Sequence, residues 1–164
     1  TAASFQDLNP AGATAAEIRA MTDMQQVGIV GLGGVAHAGI WFGTAESFVD
    51  INPVSSVSSE ALATIGTAQA GYAMWDSHRH AVLWFGSADS CIDLQLAIGP
   101  AYRESQARSI WTDGSKIIVA GDADGHPMLW ELTMVPEPKP ALLVGFAFMV
   151  LAVVKSATRR TSKG

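Results

Sequence analysis

The chain has 164 residues, of which 49% are hydrophobic, and a formal net charge of −5, so there is room for one domain and a tail. Residues 1–134 carry a net charge of −9, whereas residues 135–164 carry +4. The acidic body lacks the basic footprint of a nucleic-acid-binding protein, and the single cysteine excludes an internal disulfide.

Residues 1–86 contain two copies of one 43-residue unit. Sliding residues 1–43 onto residues 44–86 aligns sixteen identical residues without a gap, including the final His-Ala-x-x-Trp-Phe-Gly. The period is close to the roughly 40–50 residues of a four-stranded propeller blade. A third, drifting copy over residues 87–132 carries Pro127 and has Glu131 in place of the Phe. These two residues are typical of a terminal unit at a sheet edge.

Each unit is predicted to form short strands, at residues 47–51, 61–65, 69–75 and 80–85 in the second copy. In the third copy, Asp113-Gly114 is a hairpin signal that joins residues 107–112 to residues 117–121. Residues 13–24 are rich in alanine and favour a helix by propensity alone, but the repeat predicts strands there too.

The strand that ends each unit carries its most regular residues. They are His37 and Trp41, His80 and Trp84, and His126 and Trp130. Alternate side chains of a strand face opposite ways, and both faces of residues 80–85 are largely apolar, so we expect both to be covered. The predicted fold is all-β, with repeated four-stranded antiparallel units. It is propeller-like but incomplete, because closed propellers typically have 4–8 blades.

The composition of residues 135–164 differs from that of residues 1–134. Residues 135–140 form a proline-rich linker, residues 141–154 carry no charge, and Lys155 and the pair Arg159-Arg160 follow. An extension to residue 158 brings the apolar run close to membrane-spanning length, so we predict a C-terminal transmembrane helix over 141–158. The basic residues 159–164 would stay cytoplasmic and the repeats would lie outside. The alternative is that this apolar run forms a buried core helix.

Two family resemblances follow from these motifs. Pro136-Glu137-Pro138, the apolar run and Arg159-Arg160 resemble the PEP-CTERM sorting signal. That resemblance implies an exported bacterial protein, a membrane exosortase as partner, and cleavage near Pro-Glu-Pro. The His-Ala-x-x-Trp strands resemble HAF-type extracellular repeats, a family that supplies no catalytic residues to carry over. Because Thr1 stands in phase with Thr44, we also expect further repeats upstream.

Reactive chemistry is weakly indicated. His78 and His80 lie on one strand face with Asp76 and are weak metal candidates, while Asp122-Ala123-Asp124-Gly125 starts like a calcium loop but lacks the later ligands. The lone Cys91 occupies an apolar repeat position, which predicts a buried structural thiol. No cofactor motif is present: the stretch at residues 31–34 is glycine-rich but has neither dinucleotide nor phosphate-loop spacing.

These patterns favour a non-enzymatic, exported cell-surface repeat protein with a structural, adhesive or exopolysaccharide-binding role. One alternative is a secreted propeller enzyme that acts on polysaccharide, an analogy at the level of fold alone. The other is a plain single-pass membrane protein without a sorting step.

Overall fold

The computed structural model describes residues 4–133 and is all-β, with three antiparallel sheets in succession. Sheet 1 contains β1 (Ala16–Met21), β2 (Gln26–Leu32), β3 (Val35–Trp41) and β4 (Val49–Asp50), and sheet 2 contains β5 (Ser58–Thr64), β6 (Gln69–Trp75), β7 (His78–Trp84) and β8 (Ile92–Asp93). Sheet 3 contains β9 (Ser105–Thr112), β10 (Lys116–Ala123) and β11 (His126–Thr133). A four-residue helix, α1 (Gln95–Ile98), and two 3-10 turns, Ala45–Ser47 and Ala88–Ser90, complete the elements.

The predicted fold class is corrected in two respects. Residues 4–133 contain no helix that is long and apolar enough to cross a membrane, and the transmembrane helix predicted at residues 141–158 lies outside the described residues, as do the linker and the basic end. The four-stranded unit is also wrong for the third copy, whose sheet has three strands within the described range.

The outer strand of each four-stranded sheet comes from the next sequence unit. The strand predicted at residues 47–51 is a 3-10 turn followed by the two-residue β4, and β4 pairs with β3 of the preceding unit. In the same way, β8 pairs with β7. This pairing arises from tertiary structure. The free N–H and C=O groups at the edge of each sheet are paired by a segment that belongs, by the sequence repeat, to the following copy.

Most of the other strand predictions are confirmed. Residues 69–75 form β6, residues 16–21 form β1 despite their alanine content, and Asp113-Gly114 joins β9 to β10 with Gly114 at a φ of 88°. Pro127 lies on β11, an edge strand, as expected for a residue without a backbone N–H.

The hydrophobic core lies between successive sheets. One cluster joins sheets 1 and 2 and contains Ile40 and Trp84, while the other joins sheets 2 and 3 and contains Leu83 and Trp130. Residues 81–84 of β7 are fully buried, which confirms that both faces of this strand are covered. Each buried indole removes a large apolar surface from water, which contributes roughly 1.5–3 kcal/mol or more.

A β-bulge next to a glycine recurs in all three sheets. The first strand carries one extra residue, which is Arg19, Leu62 or Arg108, close to Gly28, Gly71 or Gly121 of the second strand. A Cβ on these glycines would lie 1.9, 2.0 and 1.9 Å from a backbone carbonyl oxygen of the first strand. Only glycine therefore permits the bulge.

At one packing position, two residues that touch each other change size in opposite directions from one unit to the next. In sheet 1, Phe48 covers Gly39 and its ring lies 5.2 Å from that of Trp41. In the second unit the equivalent residues are Val82 and Cys91, so a larger strand residue accompanies a smaller covering residue. The exchange keeps the core filled at both places, as close packing requires.

Candidate functional site

The repeated histidines hold the outer strands. His37 Nδ1 lies 2.7 Å from Asp50 Oδ2, and His80 Nδ1 lies 2.8 Å from Asp93 Oδ2. The other carboxylate oxygen of each aspartate accepts a backbone N–H two residues later, at 2.8 and 2.9 Å, as expected for Asx turns. In both sheets, the His–Asp pair therefore holds the short outer strand against its neighbour.

A cleft of about 340 Å³ opens at the edge of sheet 2. It is lined by Trp75, Asp76, His78, His80, Gln95, Tyr102 and Arg103. Such a concave site with aromatic walls and a few convergent polar groups is typical of ligand pockets.

The cleft forms where the repeat is broken. Leu32, Gly33 and Val35 of the first copy correspond to Trp75, Asp76 and His78 of the second copy, and Asn52 of the second copy corresponds to Gln95 of the third. The remaining wall, Tyr102 and Arg103, follows α1 in the segment where the third copy departs from the 43-residue period. Apart from the repeated His80, the residues that line the cleft differ from their equivalents in the neighbouring unit or follow the end of the regular repeat.

The imidazole of His78 is held from two sides. Its Nδ1 lies 2.9 Å from the Asp76 carbonyl oxygen, so Nδ1 carries the proton and donates it. Its Nε2 then offers a lone pair to Arg103 Nη2 at 3.2 Å. Both of the ring nitrogens are thus engaged, and the ring links the Arg103 side chain to the turn at Asp76.

Gln95 contributes an unpaired acceptor. Its Nε2 donates to the Tyr102 carbonyl oxygen at 2.7 Å, which fixes the orientation of the amide. Its Oε1 is buried and has no hydrogen-bond partner among residues 4–133. An unsatisfied buried acceptor costs roughly 1–3 kcal/mol, and a ligand hydroxyl or N–H would remove that cost.

The aromatic walls are partly exposed. The ring of Trp75 meets that of His80 edge-on at 5.3 Å, and the ring of Tyr102 meets that of His126 edge-on at 5.9 Å. Trp75 and Tyr102 each keep an intermediate exposure. They therefore offer apolar faces that a flat, weakly polar ligand can cover.

The sequence-predicted site residues are brought together only in part. His78 and His80 both line the cleft, but one is bonded to an arginine and the other to Asp93. Within the described part of the chain, no group of three or more His, Cys, Asp or Glu side chains could hold a metal ion. Asp122 and Asp124 have different partners, since Asp122 accepts from Arg108 and Asp124 accepts from the backbone N–H groups of residues 103 and 104.

Sequence reasoning missed four of the residues that line the cleft: Trp75, Gln95, Tyr102 and Arg103. The signal that could have found the last three is the departure of residues 95–104 from the repeat. Cys91 is partly buried, and burial raises the pKa of its thiol to about 12. The sorting-motif residues Pro136, Glu137, Pro138, Arg159 and Arg160 lie outside the described residues.

The chain matches no protein-family model, and no curated protein or solved structure matches it. The geometry of the cleft therefore carries the functional argument.

Proposed function

We propose that this chain is a saccharide-binding repeat protein. Its cleft beside β7 binds a short segment of an extracellular polysaccharide. The observation that carries the proposal is that one cleft is lined by Gln95, whose Oε1 is buried and unpaired, and by the partly exposed Trp75 and Tyr102. Sugar rings present hydroxyl donors at their rim and apolar C–H faces above and below. A site with aromatic walls and a fixed acceptor suits both features.

Binding is favoured over hydrolysis by the same lining. A glycoside hydrolase of the usual type needs two carboxyl groups about 5–10 Å apart across the bond to be cleaved. Asp76 is the one carboxylate among the residues that line the cleft, and the nearby Asp93 is engaged with His80 and with the Gln95 backbone. The polysaccharide-cleaving alternative has no comparable support.

The proposed place of action is outside the cell. This part of the proposal rests on the sequence alone, through Pro136-Glu137-Pro138 and Arg159-Arg160 and their resemblance to an exosortase-processed tag. Mass spectrometry of the mature protein from its native cells tests it. Retention of residues 139–164 in the mature protein would contradict processing at this motif.

Affinity electrophoresis tests the binding site. The chain is run in native gels that contain alginate, hyaluronate or hydroxyethyl cellulose, which sample acidic and neutral polysaccharides. We expect retardation by at least one polymer, and about tenfold weaker retardation for Trp75→Ala, the equivalent of roughly 1.4 kcal/mol. Trp111→Ala is the matched control, because this indole is 53% exposed and does not line the cleft.

Two results would overturn the proposal. The first is unchanged mobility in all three polymers. The second is an equal loss of retardation in Trp75→Ala and Trp111→Ala, which would indicate a non-specific contact. Gln95→Leu, which removes the acceptor while keeping the volume, should weaken binding without a loss of folded signal in circular dichroism.

A further inference from the structure

Arg103 brings a positive charge to the cleft that the described residues do not neutralise. Arg19 is paired with two glutamates and Arg108 with one aspartate. Among residues 4–133, no carboxylate forms an ion pair with Arg103, and the one hydrogen bond of its side chain goes to His78 Nε2 at 3.2 Å. A guanidinium has five N–H donors, so four of them are left for a ligand.

Asp124, the aspartate closest to this segment, holds the backbone instead of the guanidinium. Its Oδ2 accepts the N–H of Arg103 at 2.9 Å, and its Oδ1 accepts the N–H of Glu104 at 3.0 Å. Both carboxylate oxygens are therefore engaged in fixing the chain just before β9. The arrangement positions Arg103 at the cleft without pairing its side chain.

This cation is present at one junction between sheets and not at the equivalent one. Two serines, each of which accepts the N–H of a buried strand alanine at 2.9 Å, mark equivalent places in the second and third units. The residue two places before the serine is Val57 in the second unit and Arg103 in the third. Val35 in turn stands at the place of His78. Both valines are exposed, so the sheets pack alike without the polar pair, which favours a role in recognition.

The cleft thus offers two complementary polar contacts. Gln95 Oε1 can only accept, and it is buried without a partner among residues 4–133, so it suits a hydroxyl group. Arg103 can only donate, and its planar fork matches the two oxygens of a carboxylate. A uronic acid carries hydroxyl groups and a carboxylate on one ring with apolar faces, whereas a neutral hexose offers hydroxyl groups alone.

We propose that the cleft selects a polysaccharide that contains uronic acid, and that Arg103 binds the carboxylate of one sugar ring. This inference rests on the saccharide site proposed above and names the class of sugar that the site takes. Arg103 donates two parallel hydrogen bonds to the carboxylate, and Gln95 accepts a hydroxyl of the sugar. Trp75 and Tyr102 cover the apolar faces of the ring. His78 is a positioning residue, since it acts on the guanidinium.

Two acidic features oppose an anionic ligand, and both act at a distance. Residues 1–134 carry a net charge of −9, but exposed charges more than about 8 Å apart are largely screened at physiological ionic strength. Asp76 lines the cleft and is exposed, so water screens its carboxylate as well. A direct contact between a guanidinium and a carboxylate is roughly twice as strong as a neutral hydrogen bond, which favours binding at Arg103.

Reduction of the polymer's carboxylates tests the proposal. Alginate and hyaluronate are immobilised, each beside the same polymer after its carboxylates have been converted to primary alcohols, and binding is measured by interferometry at physiological ionic strength. We expect the carboxylated form of at least one polymer to bind about tenfold more tightly, as for a charged hydrogen bond. Arg103→Gln should lower that affinity to the affinity for the reduced form, which it should leave unchanged.

Arg79→Gln is the matched control. This arginine is also exposed, stacks over the Tyr72 ring at 5.0 Å and does not line the cleft. The two variants change the net charge equally, so an equal loss of affinity in both would indicate a general attraction and overturn the proposal. Arg103→Lys keeps the charge but lacks the planar fork, and we expect it to restore only part of the affinity. Full affinity in Arg103→Lys would contradict the paired hydrogen bonds.

Asp76→Asn gives a second, opposite readout. Asp76 has a φ of 50°, a conformation that asparagine also adopts, so the turn should be kept. Loss of its charge should strengthen binding of the carboxylated polymer several-fold and leave binding of the reduced polymer unchanged. An equal change for both polymers would contradict a carboxylate in the cleft.

The results separate this inference from the saccharide site itself. Equal affinity for the carboxylated and reduced forms, together with weaker binding of both by Trp75→Ala, would overturn the role of Arg103 and leave the site standing. The absence of binding to every polymer would overturn both.

Discussion

Gly71 is one of three positions where a single added methyl group should strongly destabilise the fold. It lies beside the bulge of β5, where a Cβ would come within 2.0 Å of the Glu60 carbonyl oxygen and 3.0 Å of Ala61 Cα. Both obstacles are backbone atoms, and an ordinary contact needs more than 3 Å, so β5 and β6 must separate by over 1 Å. Overpacking of this kind costs about 3 kcal/mol or more, and loss of the local ladder adds to it.

The assay is thermal unfolding of Gly71→Ala followed by tryptophan fluorescence, which reports on the buried indoles. For a domain of this size the change should lower the melting temperature by roughly 10 °C. Gly33→Ala is the control: its φ is +57° and no atom lies within 4 Å of the added Cβ, so only left-handed strain of about 1–2 kcal/mol applies. If Gly71→Ala lost no more stability than Gly33→Ala, the bulge argument would be refuted.

Three further predictions concern packing and titration. Gly39→Val and Phe48→Cys should each destabilise the fold, but the double variant should recover at least about 0.5 kcal/mol in a double-mutant cycle; strict additivity in urea unfolding would contradict the volume exchange. Burial, and then the hydrogen bond to Glu60, raises the pKa of Tyr72 from 10.0 to about 12. Above pH 10 the unfolded chain therefore loses this proton before the folded chain does, and stability falls as pH rises toward 12. The slope should be shallower in Tyr72→Phe, and equal slopes would refute the assignment. With its pKa raised to about 12, the Cys91 thiol should be alkylated by iodoacetamide at pH 8 far more slowly than in urea, whereas equal rates would show an accessible thiolate.

The local elements were predictable because local patterns specify them. Alternation and Gly punctuation predicted β6, and Asp113-Gly114 predicted the β9–β10 hairpin. The buried face and repeated Trp of residues 80–85 predicted a strand covered on both sides. Each of these inferences depends on neighbours within a few residues of one another.

Non-local features escaped prediction. The pairing of β4 with the preceding unit is set by a free sheet edge, which the repeat boundary does not reveal. The cleft depends on Gln95 and Tyr102 being folded back onto β7 after the repeat is interrupted, and no spacing rule brings them to His78. His78 and His80 were recognised as a pair, but their partners, Arg103 and Asp93, belong to separate segments.

The central claim is that the cleft at the interrupted repeat binds a saccharide while the regular residues form the scaffold. The five tryptophans give separate indole N–H signals in a ¹⁵N-resolved NMR spectrum, and titration with oligosaccharides from the polymer that retards the chain tests the claim directly. We predict that the indole signal of Trp75 and the side-chain amide signals of Gln95 shift, while those of Trp41, Trp111 and Trp130 stay in place. A titration that moves the Trp111 signal and leaves the Trp75 signal unchanged would contradict the account.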